Sequence, residues 1–177
     1  MRQGTPVASN VQFTEARARP EPGPGEALVR TEASALNHLD LWVGRGLPGL
    51  DTKFPTVTGS DGAGVIEAIG PGVDAAWKGR RVLLNAAIMR PEPAHPDRVE
   101  AGEDIHMIGE HSPGTMAEFF VAPVSNLLDI GDADPVQATA FGLTHLTAWR
   151  MLVTTVVQPR WRERPSAASA TLAAPPS

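Results

Sequence analysis

Glycine and proline interrupt this sequence throughout, and their frequency is the strongest constraint on its fold. The chain of 177 residues contains 17 Gly and 17 Pro. Both residue types favour turns, so their number favours many turns and short strands over a helical bundle. With 42% hydrophobic and 20% charged residues, the composition is that of a globular protein. The length allows one ordinary domain, or one domain and an incomplete second.

Charge and hydropathy exclude two classes of partner. The formal net charge is -5 at pH 7, which gives no electrostatic sign of binding to nucleic acid or to an anionic membrane. No apolar run approaches the length of a membrane span, and residues 1–6 contain no apolar signal region. We therefore predict a cytoplasmic protein that binds neither nucleic acid nor membrane.

Cysteine is absent from the sequence. Its absence excludes disulfides, catalysis by a thiol and every zinc site that uses thiolate ligands. Any metal in this chain would have to be bound by histidine, carboxylate or other oxygen ligands.

Four stretches are predicted to form strands. Residues 26–36 follow a segment rich in turn residues and alternate apolar and polar positions over Ala27 to Ala33, which is the pattern of a half-buried strand. Further strands are predicted at residues 64–69, 80–85 and 117–122. Together they indicate a small domain that consists mainly of β-structure.

Two helices are predicted as well. Asn37 can cap a short helix that ends near Gly44 or Gly46. A longer helix is expected after Asp134, a favourable N-cap, with Pro135 at the first helical position. Its apolar residues recur at three- and four-residue steps, and they are Ala138, Phe141, Leu143, Leu146, Trp149, Leu152 and Val153.

These patterns divide the sequence into three parts. Residues 1–133 are predicted to form the β-rich domain, and residues 134–158 a helix that links it to something further. Residues 159–177 are predicted to be disordered. Their last part, 166–177, contains only Ser, Ala, Thr, Leu and Pro, and such a segment cannot offset the entropy of its ordering.

Residues 89–114 are rich in Pro, His, Asp and Glu and show little periodicity. We predict a long surface loop, which in a compact domain is usually functional or mobile. A surface metal site is one interpretation of its side chains, and a solvated polar loop is the simpler one. The candidate ligands are His95, Asp97, Glu103, Asp104, His106, Glu110 and His111.

Gly59, Gly62 and Gly64 resemble a nucleotide-binding loop only superficially. Their spacing is Gly-x-x-Gly-x-Gly, whereas the dinucleotide fingerprint is Gly-x-Gly-x-x-Gly and lies between a strand and a helix. We interpret them as positions of close packing and turning, with Gly62 as a point where a ligand can approach.

Three segments in order resemble the medium-chain dehydrogenase/reductase family, which includes zinc-type alcohol dehydrogenases and quinone oxidoreductases. They are Asn37-His38-Leu39-Asp40-Leu41-Trp42, Gly59-Ser60-Asp61-Gly62-Ala63-Gly64 and residues 142–150. The resemblance covers residues 5–158. It implies a mainly β (α+β) fold with short helices, a GroES-like, partly open β-barrel followed by one linking helix. In relatives a Rossmann domain follows, and this sequence contains no counterpart of it.

The resemblance also bears on metal. In zinc-dependent relatives a Cys opens the segment that here reads Asn37-His38-Leu39-Asp40, and a His takes the place of Ser60 in Gly59-Ser60-Asp61. The other Cys falls near Leu143 or Thr144. Amide and hydroxyl oxygens are weak zinc ligands, and an Asn at position 37 is typical of the zinc-independent quinone-oxidoreductase branch. The resemblance therefore implies no zinc and a hydride transfer from a nicotinamide to a quinone or an α,β-unsaturated carbonyl substrate. NADP is the expected cofactor, although the residue that separates NADH from NADPH falls beyond Gln158.

Site roles follow from the same resemblance. Asn37 would hold a substrate carbonyl or a water molecule. His38 would meet a cofactor phosphate. The predicted catalytic residues are Asn37, Ser60, Asp61 and Thr147, and the predicted cofactor-binding residues are His38, Asp40 and Thr144.

Each of these residues also has a simpler interpretation. Asn37 is a good helix cap whatever the function. Asp40 can orient backbone groups of a loop by hydrogen bonds. His38 alone is more often a surface histidine than a ligand, and the apolar residues of the second helix are most simply core.

After Gln158 the sequence departs from the family, whose members continue with a hydrophobic strand, a glycine-rich loop and a helix. A frameshift near the codon for Pro159 is one hypothesis, and a natural stop or a genuine single-domain protein are the others. As it stands, we expect this chain to bind the dinucleotide weakly and to be inactive alone. The alternatives are a non-enzymatic GroES-like interaction module, which binds a protein partner or self-associates through the exposed linking helix, and an inactive remnant.

Overall fold

The computed structural model describes residues 1–15, 17–46, 52–89 and 105–155. The chain forms two compact units, Met1–Leu143 and the segment that begins at Thr144. The first unit is mostly β-structure with a few short helices, as predicted.

A five-stranded antiparallel sheet is the framework of the first unit. Its strands are β1 (Glu26–Ala35), β2 (Asp61–Ile69), β3 (Arg81–Leu84), β6 (Phe119–Pro123) and β7 (Leu127–Asp129). They lie in the order β6-β1-β2-β3-β7. Two further strands, β4 (Ala87–Met89) and β5 (Ile105–Met107), form a separate antiparallel pair.

The four predicted strands are confirmed as β1, β2, β3 and β6. The alternation in β1 is interrupted at its start, where Ala27, Leu28 and Val29 are all buried. The register of β1 on β2 shifts after Leu28 and again after Thr31. Such irregularities bend a strand and increase its twist, which suits a sheet that curls toward a barrel.

The core combines buried side chains of this sheet with two from the segments that follow β3 and β5. It is dominated by aliphatic residues around one large aromatic ring, Phe120, which is 2% exposed. Its members are Ala27, Val29, Ile66, Val82, Leu84, Ala86, Ile108, Phe120, Ala122 and Leu127.

The surface loop predicted for residues 89–114 is wrong where the structure describes it. Met89 ends β4, and residues 105–107 form β5. Ile108 is fully buried in the core, and Gly114 donates a backbone hydrogen bond of 2.9 Å to the Val57 carbonyl. The pairing of β5 with β4 forms this strand, and a strand of three residues is too short to show periodicity in the sequence. His95, Asp97, Glu103 and Asp104 lie outside the described residues.

The helix predicted after Asn37 is confirmed as α1 (His38–Arg45). It ends at Gly46, whose φ of 89° lies in the left-handed region that favours glycine. Three short 3-10 turns accompany the sheet, at Val7–Asn10, Ala75–Trp77 and Val124–Asn126.

The helix predicted after Asp134 begins as expected but is not continuous. The Asp134 carboxylate accepts a hydrogen bond of 3.0 Å from the Val136 N–H and caps α2 (Pro135–Ala140). The helix then stops, and α3 (Leu143–Trp149) begins after Phe141 and Gly142 and continues as a π-helix over Arg150–Thr155. The interruption has a tertiary cause: the Leu143 N–H donates to the side chain of Asp61 at 2.6 Å instead of to a helical carbonyl. Helix α2 packs against β1 and β2, whereas the predicted tail, 159–177, lies outside the described residues.

Candidate functional site

The candidate site lies where β1 ends and β2 begins. These two strands are antiparallel, and Ala35 near the end of β1 pairs with Asp61 at the start of β2. Asn37 lies two residues beyond the end of β1 and immediately before α1. The sheet register therefore brings Asn37 beside Asp61, and the Asn37 side-chain Nδ2 donates a hydrogen bond of 2.8 Å to Asp61 Oδ2.

Asp61 is held at both of its carboxylate oxygens. Oδ2 accepts from Asn37, and Oδ1 accepts from the Leu143 backbone N–H at 2.6 Å. The side chain is 3% exposed, so these two donors replace the water that a carboxylate would otherwise bind. Gly142 makes this approach possible, because a Cβ atom at that position would lie 2.0 Å from Asp61 Oδ1.

Asp40 is a second buried carboxylate, and it faces the backbone around it. Its Oδ2 accepts from the Asn37 N–H at 2.7 Å, which closes half of a capping box at the start of α1. Its Oδ1 accepts from the Gly59 N–H at 2.9 Å and from the hydroxyl of Thr58. These contacts are those of a residue that fixes the loop before β2, the simpler of the two interpretations made from the sequence.

Ser60 lies next to Asp61 in the chain but points away from it. The residue is 1% exposed, and its hydroxyl donates a hydrogen bond of 2.9 Å to the Ile108 carbonyl. Because the peptide of Asp61 follows extended geometry at the start of β2, neighbouring side chains point to opposite faces. In this structure Ser60 therefore connects the strand to the segment after β5.

The glycines of this segment are positions of close packing, as predicted. A Cβ atom at Gly62 would lie 2.6 Å from Thr115 Cγ2, and one at Gly64 would lie 2.0 Å from the Arg30 carbonyl oxygen. Gly59 has φ +103°, and a Cβ atom there would lie 2.6 Å from Thr115 Oγ1. The three glycines let β1, β2 and the Thr115 segment approach closely.

The remaining predicted residues lie on helices. His38 begins α1 and is exposed, with its ring centroid 5.1 Å from that of Trp42. Thr144 and Thr147 are exposed residues of α3, and Thr144 Oγ1 lies 3.3 Å from His145 Nδ1. Both threonines belong to the second compact unit. The structure thus joins Asn37, Asp40 and Asp61 through direct hydrogen bonds and places Ser60 beside them in the chain.

The donor set does not fit a zinc ion. Asn37 could offer only its amide oxygen, a weak zinc ligand, and the Ser60 hydroxyl already donates to a backbone carbonyl. Zinc prefers thiolate and imidazole ligands, and the sequence contains no Cys. Within residues 1–15, 17–46, 52–89 and 105–155, no group of three or more His, Asp or Glu side chains is placed to hold a metal ion.

Sequence reasoning missed four groups that complete this cluster. They are the hydroxyls of Ser34, Thr58 and Thr115 and the backbone N–H of Leu143. Ser and Thr are common in strands and loops, so nothing about their position marked them in advance. Only the fold places them around Asp40 and Asp61, two on the carboxylates and two on the Asp61 backbone carbonyl.

The half-barrel sheet and the polar cluster at the β1–β2 junction define a GroES-like domain of the alcohol dehydrogenase type. Residues 23–132 match the family described as the alcohol dehydrogenase GroES-like domain. The chain belongs to this family, and its predicted membership of the medium-chain dehydrogenases/reductases is confirmed.

Known relatives agree in sequence and in fold. The zinc-type alcohol dehydrogenase-like protein YogA of Leptosphaeria maculans is 31% identical over 150 residues, which cover 77% of this chain and 40% of that protein. A cobalt- and zinc-bound thermostable alcohol dehydrogenase from Pyrobaculum aerophilum superimposes with a TM-score of 0.71 at 29% identity, covering 84% of this chain and 46% of that one. An Escherichia coli alcohol dehydrogenase complexed with NADH gives a TM-score of 0.59 at 28% identity, covering 71% and 36%. The chain thus spans less than half the length of these relatives.

Membrane insertion through a helix finds no support in the part of the chain that is described. None of its helices combines the length and the apolar character that a bilayer crossing requires.

Proposed function

We propose that this chain forms the substrate-binding part of a nicotinamide-dependent oxidoreductase that reduces a quinone or an α,β-unsaturated carbonyl compound without zinc. Family membership supports the oxidoreductase class. The observation that carries the finer proposal is the hydrogen bond of 2.8 Å between Asn37 Nδ2 and Asp61 Oδ2. This bond orients the amide of Asn37, the residue that corresponds, by the sequence resemblance, to a metal-binding Cys of zinc-dependent relatives.

Asp61 determines which way the Asn37 amide faces. An ionised carboxylate only accepts hydrogen bonds, so the nitrogen and not the oxygen of the amide must face it. The amide nitrogen carries two hydrogens, and Asp61 Oδ2 accepts one of them. The other is the donor that we assign to a substrate carbonyl oxygen, where it would stabilise the negative charge that develops during reduction.

A bound NAD(P)H would supply the hydride, and a proton taken up from solvent would complete the reduction of the carbonyl compound. We assign NADP as the cofactor, with His38 as a contact to it, because its side chain is exposed and carries hydrogen-bonding groups. Asp40 takes a different part in this proposal. Its two oxygens hold Asn37 N–H, Thr58 and Gly59, so it positions the loop that carries the site.

The experiment that tests the proposal is a titration of the 177-residue chain with a naphthoquinone and with a cyclohexenone. The side-chain amide signal of Asn37 is followed by ¹H–¹⁵N NMR. We expect this signal to shift on binding and Asn37→Leu to weaken binding on the order of tenfold, which is the effect of losing one hydrogen bond to a polarised group. Asn126→Leu is the control, since Asn126 Nδ2 is likewise a hydrogen-bond donor, with two bonds of 2.9 Å to backbone carbonyls, but lies elsewhere on the sheet. Equal losses in both variants, or an Asn37 signal that does not move, would contradict the assignment.

Independence from zinc is tested on acceptor binding, because the chain alone is expected to be inactive. The affinity for each acceptor is measured by the same NMR titration with added zinc and with a chelator. The proposal expects the same affinity in both conditions. An affinity that rises with zinc and is lost with chelator would replace it with a metal-dependent site.

A second candidate function is self-association through apolar side chains after Leu143. Trp149 is 63% exposed and Leu152 is 60% exposed, and contiguous exposed apolar surface often marks an interface. Light scattering over a concentration series tests this candidate, with Trp149→Glu as the disrupting variant. A monomer at all concentrations would reject it.

A further inference from the structure

Two hydroxyl groups converge on one backbone carbonyl beneath the candidate site. Thr115 Oγ1 donates to the Asp61 carbonyl oxygen at 2.6 Å, and Ser34 Oγ donates to the same oxygen at 2.8 Å. The two hydroxyls are also 2.8 Å from each other. A peptide carbonyl has two lone pairs, so both donors can be accommodated and the peptide plane of Asp61 is fixed from two sides.

The Thr115 side chain is closely surrounded by backbone. The residue is fully buried, and its backbone N–H is already used in a hydrogen bond of 3.0 Å to the Gly59 carbonyl. Its Oγ1 and Cγ2 occupy the space left by the missing side chains of Gly59 and Gly62, each 2.6 Å from where a Cβ atom would be. The surrounding backbone therefore permits little choice of rotamer, and the hydroxyl is directed at Asp61.

The Asp61 side chain depends on the orientation of this peptide. Its carboxylate must meet the Asn37 amide at 2.8 Å and the Leu143 N–H at 2.6 Å at the same time. These donors come from the N-cap of α1 and from the residue after Gly142, so a small rotation of the Asp61 backbone would lengthen one bond or the other. A carbonyl held by two hydroxyls prevents that rotation.

We propose that Thr115, assisted by Ser34, is a positioning residue that sets the geometry of Asp61 and, through Asp61, the direction of the Asn37 amide. Neither residue touches a substrate in this scheme. That this geometry serves catalysis rests on the proposed function. The effect of Thr115 on Asp61 and Asn37 can be tested without substrate or cofactor.

The test compares Thr115→Val with Thr115→Ser in the 177-residue chain. Valine keeps the shape of the side chain and removes the hydroxyl, and serine keeps the hydroxyl and removes the methyl group. The readout is the Asn37 side-chain amide in ¹H–¹⁵N NMR, its chemical shift and its rate of exchange with solvent. We expect Thr115→Val to shift this signal and to accelerate its exchange roughly threefold to tenfold, the factor that corresponds to one net hydrogen bond, and Thr115→Ser to restore both.

The matched control is Thr139→Val. Thr139 is also buried, and its hydroxyl donates to the Pro135 carbonyl at 2.7 Å within α2. That variant should lower stability without moving the Asn37 signal. If Thr115→Val leaves the Asn37 signal unchanged, or if Thr115→Ser disturbs it equally, Thr115 only fills space and the inference is overturned.

Two further results separate the possible failures. If Thr115→Val does not fold, Ser34→Ala is tested in its place. Ser34 is exposed, so its hydroxyl can be removed without leaving a cavity. An Asn37 signal that is unchanged in Ser34→Ala then overturns the inference. If the Asn37 signal responds as expected but quinone affinity does not change in any variant, the positioning is correct and the proposed function is wrong.

Discussion

Two regions of this chain contain large apolar side chains in opposite surroundings. In the sheet, Phe120 and Ile66 are 2% and 1% exposed. In the segment after Leu143, Trp149 and Met151 are 63% and 57% exposed. Both regions have apolar periodicity in the sequence, so periodicity alone does not tell which apolar face is covered.

The difference in exposure shows which interactions stabilise each region. Strand pairing and side-chain packing support the sheet, and each buried side chain there loses contact with water. The helical segment after Leu143 has the correct local pattern but buries none of its large apolar residues in the described structure. Helices gain most of their stability from such burial, so we expect substitutions in the two regions to have very different effects.

The largest effect is expected in the sheet core. Phe120→Ala removes the largest buried side chain and leaves a cavity, which should lower the free energy of unfolding by about 3–5 kcal/mol. Trp149→Ala is the counterpart and should change it by less than about 0.5 kcal/mol, because the ring is mostly exposed. Urea unfolding of both variants measures the contrast, and similar losses would mean that Trp149 is covered in solution.

The next effect is expected at the junction of β1 and β2. Asn37→Asp places a second carboxylate beside the buried Asp61, and we expect a cost of roughly 2–4 kcal/mol at pH 7 from their repulsion. One of the two carboxyls must bind a proton when the protein folds, so the loss should grow as pH rises and shrink as pH falls.

A reciprocal exchange sharpens that result. Combining Asn37→Asp with Asp61→Asn again places one amide nitrogen against one carboxylate, and an amide oxygen at position 61 can still accept from the Leu143 N–H. We expect the double variant to regain most of the stability. Thermal unfolding across a pH series measures the stability of both variants. A double variant as unstable as Asn37→Asp would show that the hydrogen bond between positions 37 and 61 does not account for the loss.

A smaller effect is expected where α2 begins. Asp134→Ala removes the side chain that accepts from the Val136 N–H at 3.0 Å, and loss of such a cap should cost about 1 kcal/mol. Asp134→Asn retains the accepting oxygen and should cost much less. Urea unfolding distinguishes the two, and equal losses would point to the charge of Asp134 instead of its hydrogen bond.

The smallest effect is expected at the exposed end of β7. The Gly131 backbone N–H, and to a lesser extent Arg80, lower the pKa of Asp129. Because the pKa is lower in the folded state, the contribution to stability is present above the ordinary carboxyl value and is lost as pH falls through the folded value. Asp129→Asn should therefore lose a slight stability advantage at neutral pH that disappears in acid. Identical pH profiles for both proteins would contradict this.

Local chemistry explains the parts of the fold that were predictable. The strands at residues 26–36 and 117–122 carry alternation or β-forming residues, and Asn37 and Asp134 are strong capping residues, so both helix starts were found. The break at Gly142 was not predictable. A continuous apolar pattern crosses it, and its cause is a carboxylate 82 positions away in the chain.

The sequence by itself determined the family, the short strands, the helix caps and the residue types available at the site, because propensity and motif identity act over a few neighbouring residues. The tertiary structure decided which of those residues meet. Asn37 and Asp61 are 24 positions apart, and Ser34 and Thr115 are 81 positions apart. Their contacts follow from antiparallel register and from close approach at glycines, and neither is encoded by any local pattern.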